Sequence, residues 1–248
     1  ILETQGEDQL RSLSFKIGNS DSVSIFQIPS KLYGRENEFS TLLSHLKSAQ
    51  STGKLKISLI SGYSGVGKSS LIQEVYNQFT TFHGYFLTGK FDQLNKNIPF
   101  SAIIQIFTQM IQSLLGENNQ SIENWKNKIL TALGTNGKII TDIIPELEYI
   151  IGKQPDFQEL TGQENTNRFF IVFKKFINVF TAKEHPITIF IDDMQWADVA
   201  SLNLLTNILN DPSTSNLYVI LAFRINDVSP SHPFSQMLLN ATLSSRIE

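Results

Sequence analysis

There is no cysteine in the 248 residues, which removes disulfides, thiolate nucleophiles and zinc–cysteine sites from consideration. No apolar run approaches the roughly eighteen residues that a membrane span needs, and no signal-peptide pattern is present. Basic residues are not in surplus. Twenty Lys and Arg stand against 23 Asp and Glu, for a formal net charge of −3. That balance argues against a nucleic-acid binder, which needs excess positive charge to displace counterions from phosphates. The four histidines, His45, His83, His185 and His232, are scattered without metal-ligand spacing. What is present fits a globular chain with one substantial core: 41% of residues are hydrophobic and 17% charged.

The chain begins at Ile1 rather than methionine, so a piece of a longer protein is expected. Residues 1–30 read as a linker from a preceding domain, closing on Ile28-Pro29. A stripe of Phe39, Leu42, Leu43 and Leu46 then predicts an amphipathic helix.

The most specific signal is Gly62-Tyr63-Ser64-Gly65-Val66-Gly67-Lys68-Ser69, which fits the phosphate-loop (Walker A) pattern G-x-x-x-x-G-K-[ST] at every fixed position. An apolar β-type run, Leu55 to Ser61, precedes it; helically spaced Leu71, Ile72, Val75, Tyr76 and Phe79 follow. Strand, glycine loop and helix form the setting in which such a loop aims backbone N–H groups and a helix N-terminus at phosphate. The nucleotide contacts expected here are Gly62, Gly65, Val66, Gly67, Lys68, Ser69 and Ser70.

A second strand is predicted over Gly84 to Gly89, and the third is not reached until Ile187. Roughly ninety residues intervene, far more than one crossover helix requires. Four helical pieces are expected in that interval: one carrying Ile103 to Leu114, one carrying Ile122 to Leu133 with a stop at Gly134, a broken one with Leu147, Ile150 and Ile151 between Pro145 and Pro155, and a long one striped with Phe169, Phe173, Phe176, Ile177 and Phe180. Helical aromatic spacing of this kind is core packing.

Ile187 to Asp193 is an apolar run ending in two carboxylates, an arrangement that costs free energy unless a cation sits beside it. A fourth strand, Leu217 to Phe223, ends at Arg224. In an open parallel sheet these strand ends share one edge, where ligands bind. Charge then divides the labour: Lys68 bridges β- and γ-phosphates, Ser69 and Asp192 hold Mg²⁺, Asp193 orients or deprotonates the attacking water, and Arg224 senses γ-phosphate charge. The lesser alternatives are a helix cap or outer ligand for Asp193 and a surface salt bridge for Arg224. Asp198 reads as a helix cap.

Leu32-Tyr33-Gly34-Arg35-Glu36, Ser61 to Ser69, Gly89-Lys90-Phe91-Asp92-Gln93, Ile144-Pro145-Glu146-Leu147-Glu148 and Asp192-Asp193-Met194-Gln195-Trp196-Ala197-Asp198 resemble the predicted-ATPase module of very large signalling proteins. The module belongs to the STAND branch of AAA-related ATPases, similar in turn to the origin-recognition-type AAA domain. The resemblance covers nearly the whole chain in order. It implies an α/β P-loop NTPase fold, a three-layer parallel sheet ordered 5-1-4-3-2 with its fifth strand truncated, over residues 31–248. A helical insert would occupy about 95–165.

It also implies ATP and Mg²⁺ as ligands, with Leu32, Tyr33, Gly34 and Arg35 beside the adenine and Arg224 as a sensor arginine. The expected activity is slow ATP hydrolysis to ADP and phosphate, used as a switch in a cytoplasmic two-component signalling protein. Expected partners are kinase-like and sensor domains of the same chain and a protein docking on the insert. Asp192-Asp193 departs from the commoner Asp-Glu, and the shorter side chain implies slower turnover; no lid segment is expected before Glu248. A nucleotide-dependent DNA-binding module and a non-hydrolysing scaffold share the fold and stay open.

Overall fold

A computed structural model of the chain describes residues 34–79, 84–96, 98–156, 162–181, 183 and 185–239. The expected linker over 1–30, the nucleotide contacts Leu32 and Tyr33, and any fifth strand after 239 lie outside the described residues.

Four parallel strands form one sheet in the order β1-β4-β3-β2. They are β1 (Lys56–Gly62), β2 (Tyr85–Lys90), β3 (Ile187–Asp192) and β4 (Leu217–Arg224). The helices are α1 (Glu36–Thr52), α2 (Lys68–Phe79), α3 (Ser101–Leu115), α4 (Asn119–Leu133), α5 (Gly137–Thr141), α6 (Glu148–Ile151), α7 (Gln163–Phe180), α8 (Val199–Asn210) and α9 (Pro233–Leu238). Five of them, α3 to α7, run between β2 and β3. The fold is therefore α/β, with every strand pair parallel as the sequence implies.

Side chains on a strand alternate between faces, and the sheet sorts them into two cores. Ile187, Ile189, Ile191, Leu217, Val219 and Leu221 face the larger core, built with α3 to α9. Phe190, Tyr218, Ile220 and Ala222 face the smaller one, built with Leu42, Leu46 and Ala49 of α1 and Leu71, Ile72, Val75 and Phe79 of α2. The same alternation carries Asp192, two residues beyond Phe190, to the side of the sheet that holds α2. Period two thus places this acid beside the phosphate-loop helix.

β2 is an edge strand, and α3 covers its open backbone in an unusual way. Gln109 Oε1 accepts from Thr88 N at 3.0 Å while Gln109 Nε2 donates to Thr88 O at 2.8 Å. One turn earlier, Gln105 does the same to Lys90, at 3.0 and 3.2 Å. Two glutamine amides thereby substitute for a neighbouring strand and remove two unpaired edge positions. The close approach of α3 requires Gly89: a Cβ there would meet Ala102 O at 2.5 Å.

Candidate functional site

β1 ends at Gly62, and the chain turns through 63–67 into the first turn of α2. Gly65 and Gly67 take φ of +76° and +92°, a region that glycine enters without steric cost. Lys68 Nζ donates to the carbonyl oxygens of Gly62 and Tyr63 at 3.1 and 3.0 Å. Arg35 reaches the loop from outside, its Nη2 donating to Val66 O at 3.0 Å. The segment at Gly34 and Arg35 therefore abuts the loop.

Opposite the loop, Ser69 Oγ donates to Asp192 Oδ2 at 3.1 Å, joining the first turn of α2 to the tip of β3. Asp192 Oδ1 accepts from Asp193 N at 2.8 Å. Asp193 then leaves the strand in the left-handed region, with φ of +55°, which aspartate tolerates better than most residues. Its carboxylate is buried, 8% exposed, and has three partners. Oδ1 accepts from Gln195 Nε2 at 2.7 Å and faces Arg224 Nε at 3.3 Å. Oδ2 lies 3.2 Å from Lys90 Nζ. Burial alone pushes the Asp193 pKa up. The hydrogen bond from Gln195 and the charges of Lys90 and Arg224 outweigh it and hold the group below its ordinary value.

Gly65, Gly67, Lys68, Ser69, Ser70, Asp192, Asp193 and Arg224 come together around one cleft of about 300 Å³, which Ser64 and Lys90 also line. Of the other expected contacts, Gly62 supplies a carbonyl to Lys68, and Val66 offers its carbonyl to Arg35 rather than a side chain to the cleft. Asp198 is a cap: its Oδ1 accepts from Ser201 N at 2.8 Å, opening α8. Asp193 heads the short 3₁₀ turn of Met194–Trp196, yet its side chain makes no capping bond.

Lys90 and Gln195 were not among the residues singled out in the sequence as binding or catalytic. Lys90 stands in register with Asp192, and a cation beside the paired acids was required by their charge. Ending the second strand at Gly89 leaves this lysine out of the sheet edge. Gln195 carries no such signal.

The hydroxyl of Ser69 and the carboxylate of Asp192 are hard oxygen donors, a set suited to a divalent cation that completes its shell with phosphate oxygens and water. Among the described residues no group of three or more His, Asp or Glu side chains could form a closed metal cage.

Residues 31–221 match the model of the AAA ATPase domain. The chain belongs to this family. Membership implies nucleotide binding with a divalent metal, consistent with the donors just described. A relative is the Hybrid signal transduction histidine kinase G of Dictyostelium discoideum, 38% identical over 191 residues, covering 77% of this chain and 6% of that protein. Histidine protein kinase 1 of Candida albicans is 22% identical over 187 residues, covering 67% of this chain and 8% of that one. The chain thus spans less than a tenth of either relative's length. A crystal structure of Cdc6p from Pyrobaculum aerophilum is similar to 90% of this chain and 47% of its own, at 12% identity and a TM-score of 0.48. No helix among the described residues is long and apolar enough to cross a membrane.

Proposed function

We propose that the domain binds Mg-ATP in the cleft at the strand tips, hydrolyses it slowly, and thereby switches a larger signalling protein. One observation carries this reading. A lysine and a serine of the glycine loop, the last residue of β3 with the aspartate that follows it, and an arginine from β4 meet around a single cleft. In the nucleotide-bound form Lys68 leaves the carbonyls of Gly62 and Tyr63 for β- and γ-phosphate oxygens, and N–H groups at the start of α2 hold the phosphates. Ser69 and Asp192 would hold the metal. Held there, a magnesium ion would supply charge to neutralise phosphate and to polarise the bond to be broken.

Asp193 accepts a hydrogen bond from the attacking water, and Arg224 turns toward the γ-phosphate. The partners of Asp193 favour slow turnover. Against the upward push of burial, the hydrogen bond from Gln195 and the charges of Lys90 and Arg224 hold this carboxylate below its ordinary pKa, which weakens its affinity for the proton of water. Part of that restraint lifts when phosphate competes for Lys90 and Arg224. The glutamine contacts from α3 tie the backbone of Lys90 to the helices between β2 and β3, so movement of those helices reaches the site. A protein docking on them, or neighbouring kinase-like and sensor domains of the same chain, would be the other end of the switch. The relatives' signalling names support that setting.

The test is calorimetric titration of Mg-ATP into the parent and Lys68→Ala. Loss of a charge-assisted contact predicts an affinity roughly tenfold to a hundredfold lower. Equal affinity would remove the site assignment.

A further inference from the structure

Gln195 is 1% exposed, and its amide is used at both ends. Oε1 accepts from Arg224 N at 3.1 Å, and Nε2 donates to Asp193 Oδ1 at 2.7 Å. The orientation of the amide follows from chemistry rather than choice. A backbone N–H can only donate, so the amide oxygen must face Arg224 and the NH₂ must face the carboxylate. A glutamine so deeply buried would cost free energy unless both ends were paired in this way.

We infer that Gln195 is a positioning residue for hydrolysis: it sets the rotation of the Asp193 carboxylate and so selects which of its oxygens meets the attacking water. The inference rests on the ATPase reading above and adds a residue to it. Asp193 sits in a left-handed turn past the end of β3, so the strand does not dictate where its side chain points. Gln195 does, by fixing Oδ1. The Arg224 guanidinium occupies the same oxygen from the β4 side. Oδ2 carries neither contact, and its partner, Lys90 Nζ, belongs to a side chain that is 62% exposed and can be drawn to phosphate.

The charged groups at this carboxylate are thus Lys90 from β2, Asp192 from β3 and Arg224 from β4, with Lys68 of α2 lining the same cleft. A neutral amide can hold Asp193 among them without adding a charge that would repel it or neutralise it further. It also couples two strand tips. Because Oε1 holds the main chain of Arg224, the backbone from which the arginine turns to phosphate keeps a common frame with the carboxylate.

Gln195→Met keeps the volume and removes both hydrogen bonds. It is to be assayed as a cycle with Asp193→Asn, measuring kcat, KM for Mg-ATP and melting temperature on the chain described here. For Gln195→Met the expected result is kcat lower by about tenfold to a hundredfold with KM within about twofold. In the Asp193→Asn background the same change should have no further effect, because Gln195 acts through Asp193. Parent kcat in Gln195→Met, a raised KM at unchanged kcat, or a loss that multiplies with that of Asp193→Asn would each overturn the role. A residue needed only for folding would give the multiplied loss. Should Gln195→Met fail to fold, Gln195→Asn, which retains a buried amide one methylene shorter, takes its place in the cycle with the same criteria. Absence of Lys68-dependent hydrolysis in the parent, or parent turnover in Asp193→Asn, overturns the ATPase reading and this role with it. Normal behaviour of those controls beside an unaffected Gln195 variant overturns this role alone.

Discussion

One face of the sheet packs against elements of seven helices, α3 to α9, and the other against two, α1 and α2. The thick face is mainly apolar, centred on Phe107, Phe173, Phe176 and Phe180, whose neighbouring rings meet at centroid distances of 5.1 to 6.4 Å. The thin face buries fewer apolar groups and admits polar ones: Tyr218 donates to Ser58 Oγ at 2.8 Å, and His45 Nδ1 lies 3.0 Å from the same oxygen. Asp192 and the phosphate loop belong to the thin side. The difference separates two tasks. Burial of apolar surface on one side holds the strands in register, which leaves the strand tips free to gather charges that would destabilise a fold depending on them.

The sharpest way to break that separation is Phe176→Ala. The ring is fully buried on the thick face and packs against Phe107, Phe173 and Phe180. Removing it leaves a cavity at a cost of about 3 to 5 kcal/mol, read from urea unfolding. Nucleotide affinity of the folded protein should stay within about twofold. A large loss of affinity under conditions where the variant is folded would show that the two faces are not independent.

Tyr218→Phe probes the thin face by a smaller amount. It keeps the ring and removes the hydroxyl that donates to Ser58 inside the smaller core. The expected loss is about 1 to 2 kcal/mol, because Ser58 stays buried with one partner fewer. If thermal unfolding shows no change, the polar contacts of this face contribute nothing and its stability is apolar after all.

What could be read from the chain follows the same division. Local, period-based features were legible: the β1 run, the glycine loop, the acids closing β3 and the phenylalanine stripe of α7 each lie within one short window. Features made by the meeting of windows were not. Gln105 and Gln109, four apart on α3, carry no pattern of their own, and only the edge of β2 gives them their contacts. The five residues of α5, Gly137–Thr141, are too few to show a helical period. That Lys68, Ser69, Asp192, Asp193 and Arg224 meet at one cleft was legible, because each stands at or just past the end of a strand of a parallel sheet. The state of Asp193 was not legible. It depends on Lys90 arriving through strand register and on Gln195 folding back through a 3₁₀ turn, and neither is marked by composition or spacing.

The smallest expected effect lies on the thick side, at its solvent margin, where Lys174 of α7 pairs with Asp211 at the end of α8. The hydrogen bond from Lys174, joined by those from Ser213, lowers the Asp211 pKa from 3.8 to about 2. A carboxylate whose pKa is lower folded than unfolded adds stability above the unfolded value and loses it as pH falls through the folded one. The window here runs from about pH 4 down to about 2. Both side chains are partly exposed, so solvent screening reduces the gain to about 1 kcal/mol. Asp211→Asn should therefore be less stable than the parent by about that amount at pH 7, with the gap closing toward pH 2 in thermal melts. A constant gap across that range would place the loss in the altered helix end rather than in the charge. A gap absent at every pH would leave the thick face held by its apolar packing alone.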